Sequence, residues 1–340
     1  MEAWIVSNVV VVALLVLGVT ATSFIIKRRL WREAFVQLWR RRPIAICIVG
    51  LYVIVALLDS IAWVGGESVG NDAVSVHEAR SLIDRWFQGT PERTYSAPLA
   101  DAHFYDNTPL SAPGSHLLGT DILGRDIFYL MLKGSRVALM IGGLTSLIAI
   151  PLALIFGVSA GYFGRRIDDF VFFLISTLAA MPSLLLLIAL IMAMGRSTLS
   201  VCIALAITSW VGFCRISRGE TLKLRELDFV ESARALGVND FTIIVRHIVP
   251  NLVHLIVITF VLMFSGLVLS EAILSWLGIG IEGSWGQMID LARDELAREP
   301  VIWWNITAAG VALFGLLLAV NFVGDAVRDI LDPRTLREYP

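Results

Sequence analysis

Glu231, Arg234 and Gly237 stand in a short charged stretch, ESARALGVNDFTIIVRHIVPN (231–251), set between long apolar runs. Side chains of these types can bind and orient a partner, but little else in the chain can make or break covalent bonds. No G-x-x-x-x-G-K-[ST] phosphate loop occurs, so ATP has no recognisable site on this chain. The five histidines, His77, His103, His116, His247 and His254, form no H-E-x-x-H pair, and there is no G-x-S-x-G nucleophile elbow. Asp168 and Asp169 follow Arg165 and Arg166, and surface ion pairing accounts for them without acid–base catalysis. Cys47, Cys202 and Cys214 lie in apolar stretches with no C-x-x-C spacing, which predicts buried free thiols and neither disulfide nor metal site. Neither catalytic nor metal-ligating residues are expected, and the chain is not expected to be an enzyme.

The elements that must position the charged stretch belong to a membrane protein. Of the 340 residues, 57% are hydrophobic and only 16% charged, too apolar for an ordinary soluble domain. Seven segments are long enough to cross a hydrocarbon core of about 30 Å at a rise of about 1.5 Å per residue. They run over 4–26, 44–64, 136–161, 170–194, 198–217, 251–275 and 303–324. Between the first two lies KRRLWREAFVQLWRRRP, with seven basic residues and one acidic. Basic loops stay in the cytoplasm, so Met1 is expected outside and the C-terminal GDAVRDILDPRTLREYP inside. The positive charge follows the first apolar run instead of preceding it, so residues 1–26 read as an uncleaved span and not a signal peptide.

Four regions follow. Residues 1–42 hold an extra N-terminal span and its basic linker, 43–130 a span and an external loop, 131–327 the main bundle, and 328–340 a cytoplasmic tail. In the loop, Val76, Ala79, Leu82, Ile83 and Trp86 have the spacing of a short surface helix before a Gly-Thr-Pro breaker. The Pro-, Gly- and Asp-rich stretch after it predicts turns leading into a membrane-surface helix. Asp59 and Glu271 lie near the outer ends of their spans, where water is expected to reach them. With almost no ionisable residue at mid-span, an ion-driven secondary transporter is the weaker alternative. A translocation path would then be lined by weakly binding groups such as Ser183, Thr208, Ser209, Trp210, Thr259 and Ser265. Trp303 and Trp304 suit an interfacial aromatic belt.

Within the opening stretch, Asp228 and Glu231 have capping-box spacing, and Gly237 is a natural helix stop. Phe229, Val230, Ala233 and Leu236 form one apolar face between them, and Asn239 or Asp240 can cap a second short helix running to Pro250. This predicts a rigid elbow on the cytoplasmic surface. A plain amphipathic connector would satisfy the same pattern, and Arg234 could be solvated helix surface.

A resemblance adds to this reading. Glu231, Ser232 and Ala233, then Gly237, then Ile248, Val249 and Pro250 resemble the cytoplasmic signature of ATP-binding-cassette importer permeases, with Ser232 in place of a second Ala and His247 in place of an apolar residue. HLLGTDILGRDIF (116–128) resembles a motif of the dipeptide and oligopeptide permease C subunits, with Leu117 replacing Pro. AGYFGRRIDD, AAMPSLLLLIAL, EAILSWLGIGI, SWGQMI and NFVGDAVRDILDPR are similar to later signatures of the same family, in order over about 116–334. The resemblance implies an all-α integral membrane fold: six spans of the type I importer permease plus the extra N-terminal helix, seven in all. It implies a peptide-importer permease of the bacterial inner membrane, paired with a homologous permease, two ATP-binding subunits or domains and an external substrate-binding protein. ATP and Mg would be held by those partners, with no cofactor on this chain and no nucleic-acid partner. Nickel chelates, antimicrobial peptides and peptide-like antibiotics are alternative cargo within the family. Glu231, Ser232, Ala233, Arg234, Gly237 and Pro250 would form the contact that couples ATPase and permease. Trp285 and Gln287 would face an external cavity or the binding protein.

Overall fold

The computed structural model describes residues 36–64, 79–87 and 92–331. The first expected span, most of the basic linker after it, Val76 of the expected loop helix and most of the C-terminal tail lie outside the described residues. Among the described residues, five helices are long and apolar enough to cross a membrane, and a sharply bent helix pair makes a sixth if it counts as one span. Contacts divide the chain into two units, Met1–Leu139 with Ser275–Ala319, and Met140–Leu274 with Val320–Pro340.

In the first unit, helix α1 (Pro43–Ser60) starts on a proline, whose missing N–H costs nothing at a helix start. Strands β1 (Ala62–Val64) and β2 (Ala79–Ser81) pair antiparallel, and β2 runs directly into α2 (Leu82–Trp86). The loop helix is therefore shorter than the apolar spacing predicts. Ser81 accepts from the Asp84 N–H while Asp84 accepts from the Ser81 N–H, and this capping box fixes the start at Leu82, leaving Ala79 in a strand. Asp84 also accepts from the Tyr129 hydroxyl at 2.7 Å and from Lys133 Nζ at 2.6 Å, which ties α2 to the long helix α3 (Ile127–Phe163). Burial alone would raise the Asp84 carboxyl, but the bonds from Lys133, Tyr129 and the Ser81 backbone outweigh it and hold the group at about 2.

Asp59 is not open to water as its position suggested. It is only 3% exposed, accepts from Ser81 Oγ at 2.9 Å and lies 3.4 Å from Arg136 Nη1, so pairing replaces hydration. Glu271, in the second unit, is likewise buried.

Residues 92–126 form turns and isolated bridges, as their composition predicts. Glu92 accepts from the Ser111 hydroxyl and the Ala112 N–H, and His103 and His116 bring Nε2 to within 3.6 and 3.8 Å of its two oxygens. The GTDILGRD motif is a turn built on its two aspartates. Asp121 accepts from the Leu123 and Arg125 N–H groups and from Arg125 Nε, while Asp126 accepts from the Phe128 and Tyr129 N–H groups at the start of α3. No separate surface helix follows: the motif leads straight into α3, because Asp126 satisfies the free N–H groups at that helix start.

The second unit contains the rest of α3, then α4 (Arg165–Ala180), α5 (Ser183–Met194), α6 (Thr198–Arg225), the elbow, and α9 (Val253–Trp276). The segment 170–194 reads as one span by hydropathy, yet α4 and α5 meet at 92°. Pro182 at the break removes an N–H and disfavours helical backbone at Met181, which is extended. α3 and α6 pack closely: a Cβ built on Gly157 would lie 2.1 Å from Ser217 Oγ and 2.6 Å from the Cys214 carbonyl oxygen, and one on Gly161 would lie 2.7 Å from the Arg218 carbonyl oxygen. Around this crossing, Ala149, Ala153, Ala160, Ala206, Trp210, Phe213 and Cys214 make a core of small residues interleaved with aromatics. Asp168 finds its ion pair here. Its partner is not Arg165 or Arg166 but Arg218 of α6, whose Nη2 donates at 2.6 Å. The thiols of Cys202 and Cys214 are buried and free, whereas Cys47 is free but exposed, on a helix with few buried positions.

Candidate functional site

The charged stretch is an elbow of short helices. α6 ends at Arg225, and α7 (Asp228–Ala235) begins after only two residues. So tight a connection puts Leu227, not Asp228, at the cap position, and its carbonyl accepts from Val230 at 2.9 Å and Glu231 at 3.2 Å. The expected Asp228–Glu231 capping box is absent. Both acids instead lie in the first turn, where they favour the positive end of the helix dipole. At the other end Gly237 takes φ +79°, with Val238 N–H donating to the Ala233 carbonyl at 3.1 Å and Gly237 N–H to that of Arg234 at 3.0 Å. This is the paired closure that a left-handed glycine permits. Asn239 then accepts from the Phe241 N–H and caps α8 (Asp240–Ile243). Wider π backbone follows at Ile244–Ile248, then a 3-10 turn at Val249–Leu252 containing Pro250, and then α9.

Val230, Ala233, Ile243, Ile248 and Leu252 point inward, packing with Val158 and Tyr162 of α3. Glu231, Ser232, Arg234, Gly237 and Pro250 face outward. Large apolar side chains share that outer surface: Leu236 is 84% exposed and Phe241 72%. Among the described residues nothing covers them, and exposed apolar groups rimmed by charge mark an interaction surface. The guanidinium of Arg234 lies 5.3 Å from the centroid of the Tyr162 ring, so it is held against α3 and does not simply extend into solvent.

The expected path residues are scattered through the second unit. Ser183 starts α5 in an exposed position, Thr208 and Ser209 donate back to carbonyls of their own helix, and Thr259 is partly buried on α9. Trp210 is in the core beside Phe156, and Ser265 is buried. Trp210 therefore serves packing in this conformation. Trp285 also departs from the expected role. It opens helix α10 (Trp285–Leu296), is 2% exposed, and donates its indole N–H to the Met131 carbonyl at 2.8 Å. Room for the buried ring comes from Gly134 of α3, where a Cβ would lie 2.3 Å from the indole, and not from the flanking Gly283, where a Cβ would meet nothing within 4 Å. Gln287 accepts from the Gly283 N–H at 2.8 Å and lines a small cavity with Arg125, Leu130 and Asn305. Trp304, expected in an interfacial belt, is buried at the start of α11 (Trp304–Leu331) against Phe104 and donates to the Thr120 carbonyl, while Trp303 is exposed.

Sequence reasoning missed two features. The G-x-x-x-G spacing of Gly157 and Gly161 inside an apolar helix was a readable signal of close helix packing. Tyr162, whose hydroxyl donates to Asp240 at 2.6 Å, had no such signal, because its partner is 78 residues away.

Residues 153–337 match the family model described as binding-protein-dependent transport system inner membrane component. A glutathione transport system permease protein of Pectobacterium atrosepticum is 37% identical over 233 residues, covering 68% of this chain and 76% of that protein. A dipeptide transport system permease protein of Bacillus subtilis is 35% identical over 238 residues (68% and 72%). Another, from Alkalihalophilus pseudofirmus, is 30% identical over 311 residues (89% and 90%). A solved structure of the MetNI methionine ABC transporter, in an inward-facing conformation, aligns at TM-score 0.48 with 17% identity, over 60% of this chain and 97% of that one.

The family match and the curated permease relatives define a membrane permease, the transmembrane subunit of an ATP-binding-cassette importer. The chain belongs to the family of binding-protein-dependent transport system inner membrane components.

Proposed function

We propose that this permease carries peptides across the bacterial inner membrane and that its elbow receives the motion of ATP-hydrolysing subunits. What supports the coupling role is one observation: Leu236 and Phe241 stand exposed on a charged elbow whose opposite side is packed into the bundle. A groove on an ATP-binding subunit would cover them, with Glu231 and Arg234 at the rim and Gly237 letting the partner approach the backbone. The ATP-binding subunits, two per assembly, would hold ATP and Mg. A homologous permease would complete the path, and an external binding protein would deliver the cargo. The basic linker after the first apolar run supports Met1 outside and the elbow and C-terminal tail inside. Closure of the ATP-binding subunits draws on the elbow and shifts the bundle between outward- and inward-facing states. Peptide cargo is supported by relatives described as glutathione and dipeptide permeases.

The test is uptake of a tritiated dipeptide into liposomes holding the assembled importer and its binding protein, with ATP on the side of the ATP-binding subunits and no ion gradient. ATP-dependent accumulation that survives an ionophore is expected. Uptake that needs a proton or sodium gradient and ignores ATP would overturn the reading.

A further inference from the structure

Tyr162 lies in the last turn of α3, and three separate parts of the elbow region hold it. Its hydroxyl donates to Asp240 Oδ1 of α8 at 2.6 Å. Arg234 of α7 sits over its ring at 5.3 Å. Arg225, at the end of α6, donates to the carbonyls of Gly161 and Tyr162 at 3.2 and 3.4 Å. The side chain is otherwise buried with Val158, Val230, Ala233, Ile243, Ile248 and Leu252. One residue of α3 thus touches α6, α7 and α8 at once.

Three routes lead away from the elbow, the first along the chain back into α6 across the two residues after Arg225. The second, through Tyr162, enters α3, a helix of 37 residues that carries Pro151 in its interior. The third, onward along the chain, enters α9 only after the π turn at Ile244–Ile248 and the 3-10 turn at Val249–Leu252. There Pro250 has no N–H to give, and the Asn251 side chain donates to the His247 carbonyl at 2.5 Å. Changes of helical pitch interrupt the regular ladder of hydrogen bonds, and bends concentrate where the ladder is interrupted. Of the three, the connection into α9 is the compliant one.

We infer that the elbow and the last turn of α3 move as one body, with Tyr162 as the positioning residue that delivers the elbow's displacement to α3, while 244–252 absorbs the mismatch with α9. This rests on the coupling role proposed above and specifies how α3 receives the stroke.

The bond from Tyr162 to Asp240 can be removed from either side. Tyr162→Phe keeps the ring for Arg234 and loses the hydroxyl; Asp240→Ala loses the acceptor; Asp240→Asn keeps an acceptor oxygen. In liposomes holding the assembled importer, both ATP hydrolysis and uptake of a tritiated dipeptide carried by the wild-type assembly are measured. Tyr162→Phe and Asp240→Ala are expected to retain the ATP-binding subunits and hydrolyse ATP, while dipeptide moved per ATP falls about tenfold, the size set by losing one hydrogen bond to a charged group. The double variant should be no worse than either single one, and Asp240→Asn should stay near wild type. A wild-type transport ratio in Tyr162→Phe, or additive losses in the double variant, would overturn the inference. Loss of the ATP-binding subunits from both Tyr162→Phe and Asp240→Ala would also overturn it, because the bond would then shape the docking surface and not pass on its motion. Failure of the coupling role itself is read elsewhere, as normal uptake when bulk is added at Gly237.

Discussion

Gly237→Trp is expected to reach the membrane in normal amount, to lose its ATP-binding subunits on purification, and to take up no peptide. Nothing lies within 4 Å of a Cβ built at this position, so a side chain can leave the backbone there without an immediate clash among the described residues. The cost within the permease is that of a side chain on backbone at φ +79°, about 1–2 kcal/mol, too little to dismantle a membrane bundle. A partner seated against the elbow would meet the whole ring. Gly237→Ala separates the two effects, since it bears the same backbone strain without the bulk, and it should retain most of the bound subunits. Glu231→Ala should be milder still, because it removes one charge from the first turn of α7 and leaves the closure at Gly237 intact. Equal damage from Ala and Trp at Gly237 would assign the defect to strain. Normal retention and uptake in both would reduce the elbow to a connector.

Gly157→Leu is expected to fail in the opposite way, with little folded permease recovered and none of it stable in detergent. Here the obstacle is internal. The Cβ alone would lie 2.1 Å from Ser217 Oγ and 2.6 Å from the Cys214 carbonyl oxygen, and a backbone carbonyl cannot rotate away as a side-chain tip can. α3 and α6 would have to separate, disrupting the adjoining contact between Gly161 and the Arg218 carbonyl. Even Gly157→Ala should cost about 1–3 kcal/mol, the usual range for overpacking. The control is Gly212→Ala on α6, where nothing lies within 4 Å and the better helix former should be neutral or mildly stabilising. Thermal unfolding of the purified permease measures both. Equal stability of Gly157→Ala and wild type would show that the crossing is looser than the geometry indicates.

The apolar lengths made the spans legible in the sequence, and the glycine and capping residues made the turn of the elbow legible, because these signals are local. The missed details depend on partners distant in sequence. Asp228 looked like a cap until the short link from α6 placed Leu227 there. Asp168 stands three residues after Arg165 yet pairs with Arg218. Trp304 looked like a surface aromatic because span ends are usual places for one, and the family resemblance put Trp285 on an external cavity, but each donates its indole N–H to a distant backbone carbonyl and is buried. Hydropathy averages over a window, so it could not show the bend at Pro182 within 170–194, although the proline itself was visible. The proposed coupling surface was read from the family signature and local physics together. Its exposed apolar patch, Leu236 and Phe241, required the fold, since the sequence pattern had put Leu236 on the same face as the buried Val230 and Ala233.

The central claim is that the elbow lies on the cytoplasmic side beneath an ATP-binding subunit, and one cysteine tests both halves of it. Leu236→Cys places a thiol at the most exposed apolar position of the elbow, in a background where Cys47, the exposed native thiol, is replaced by serine. A membrane-impermeant maleimide applied to intact cells should leave it unlabelled. In inside-out vesicles it should react readily once the ATP-binding subunits are stripped, and it should be protected while they are bound. Labelling in intact cells, or equal reactivity with and without those subunits, would contradict the account.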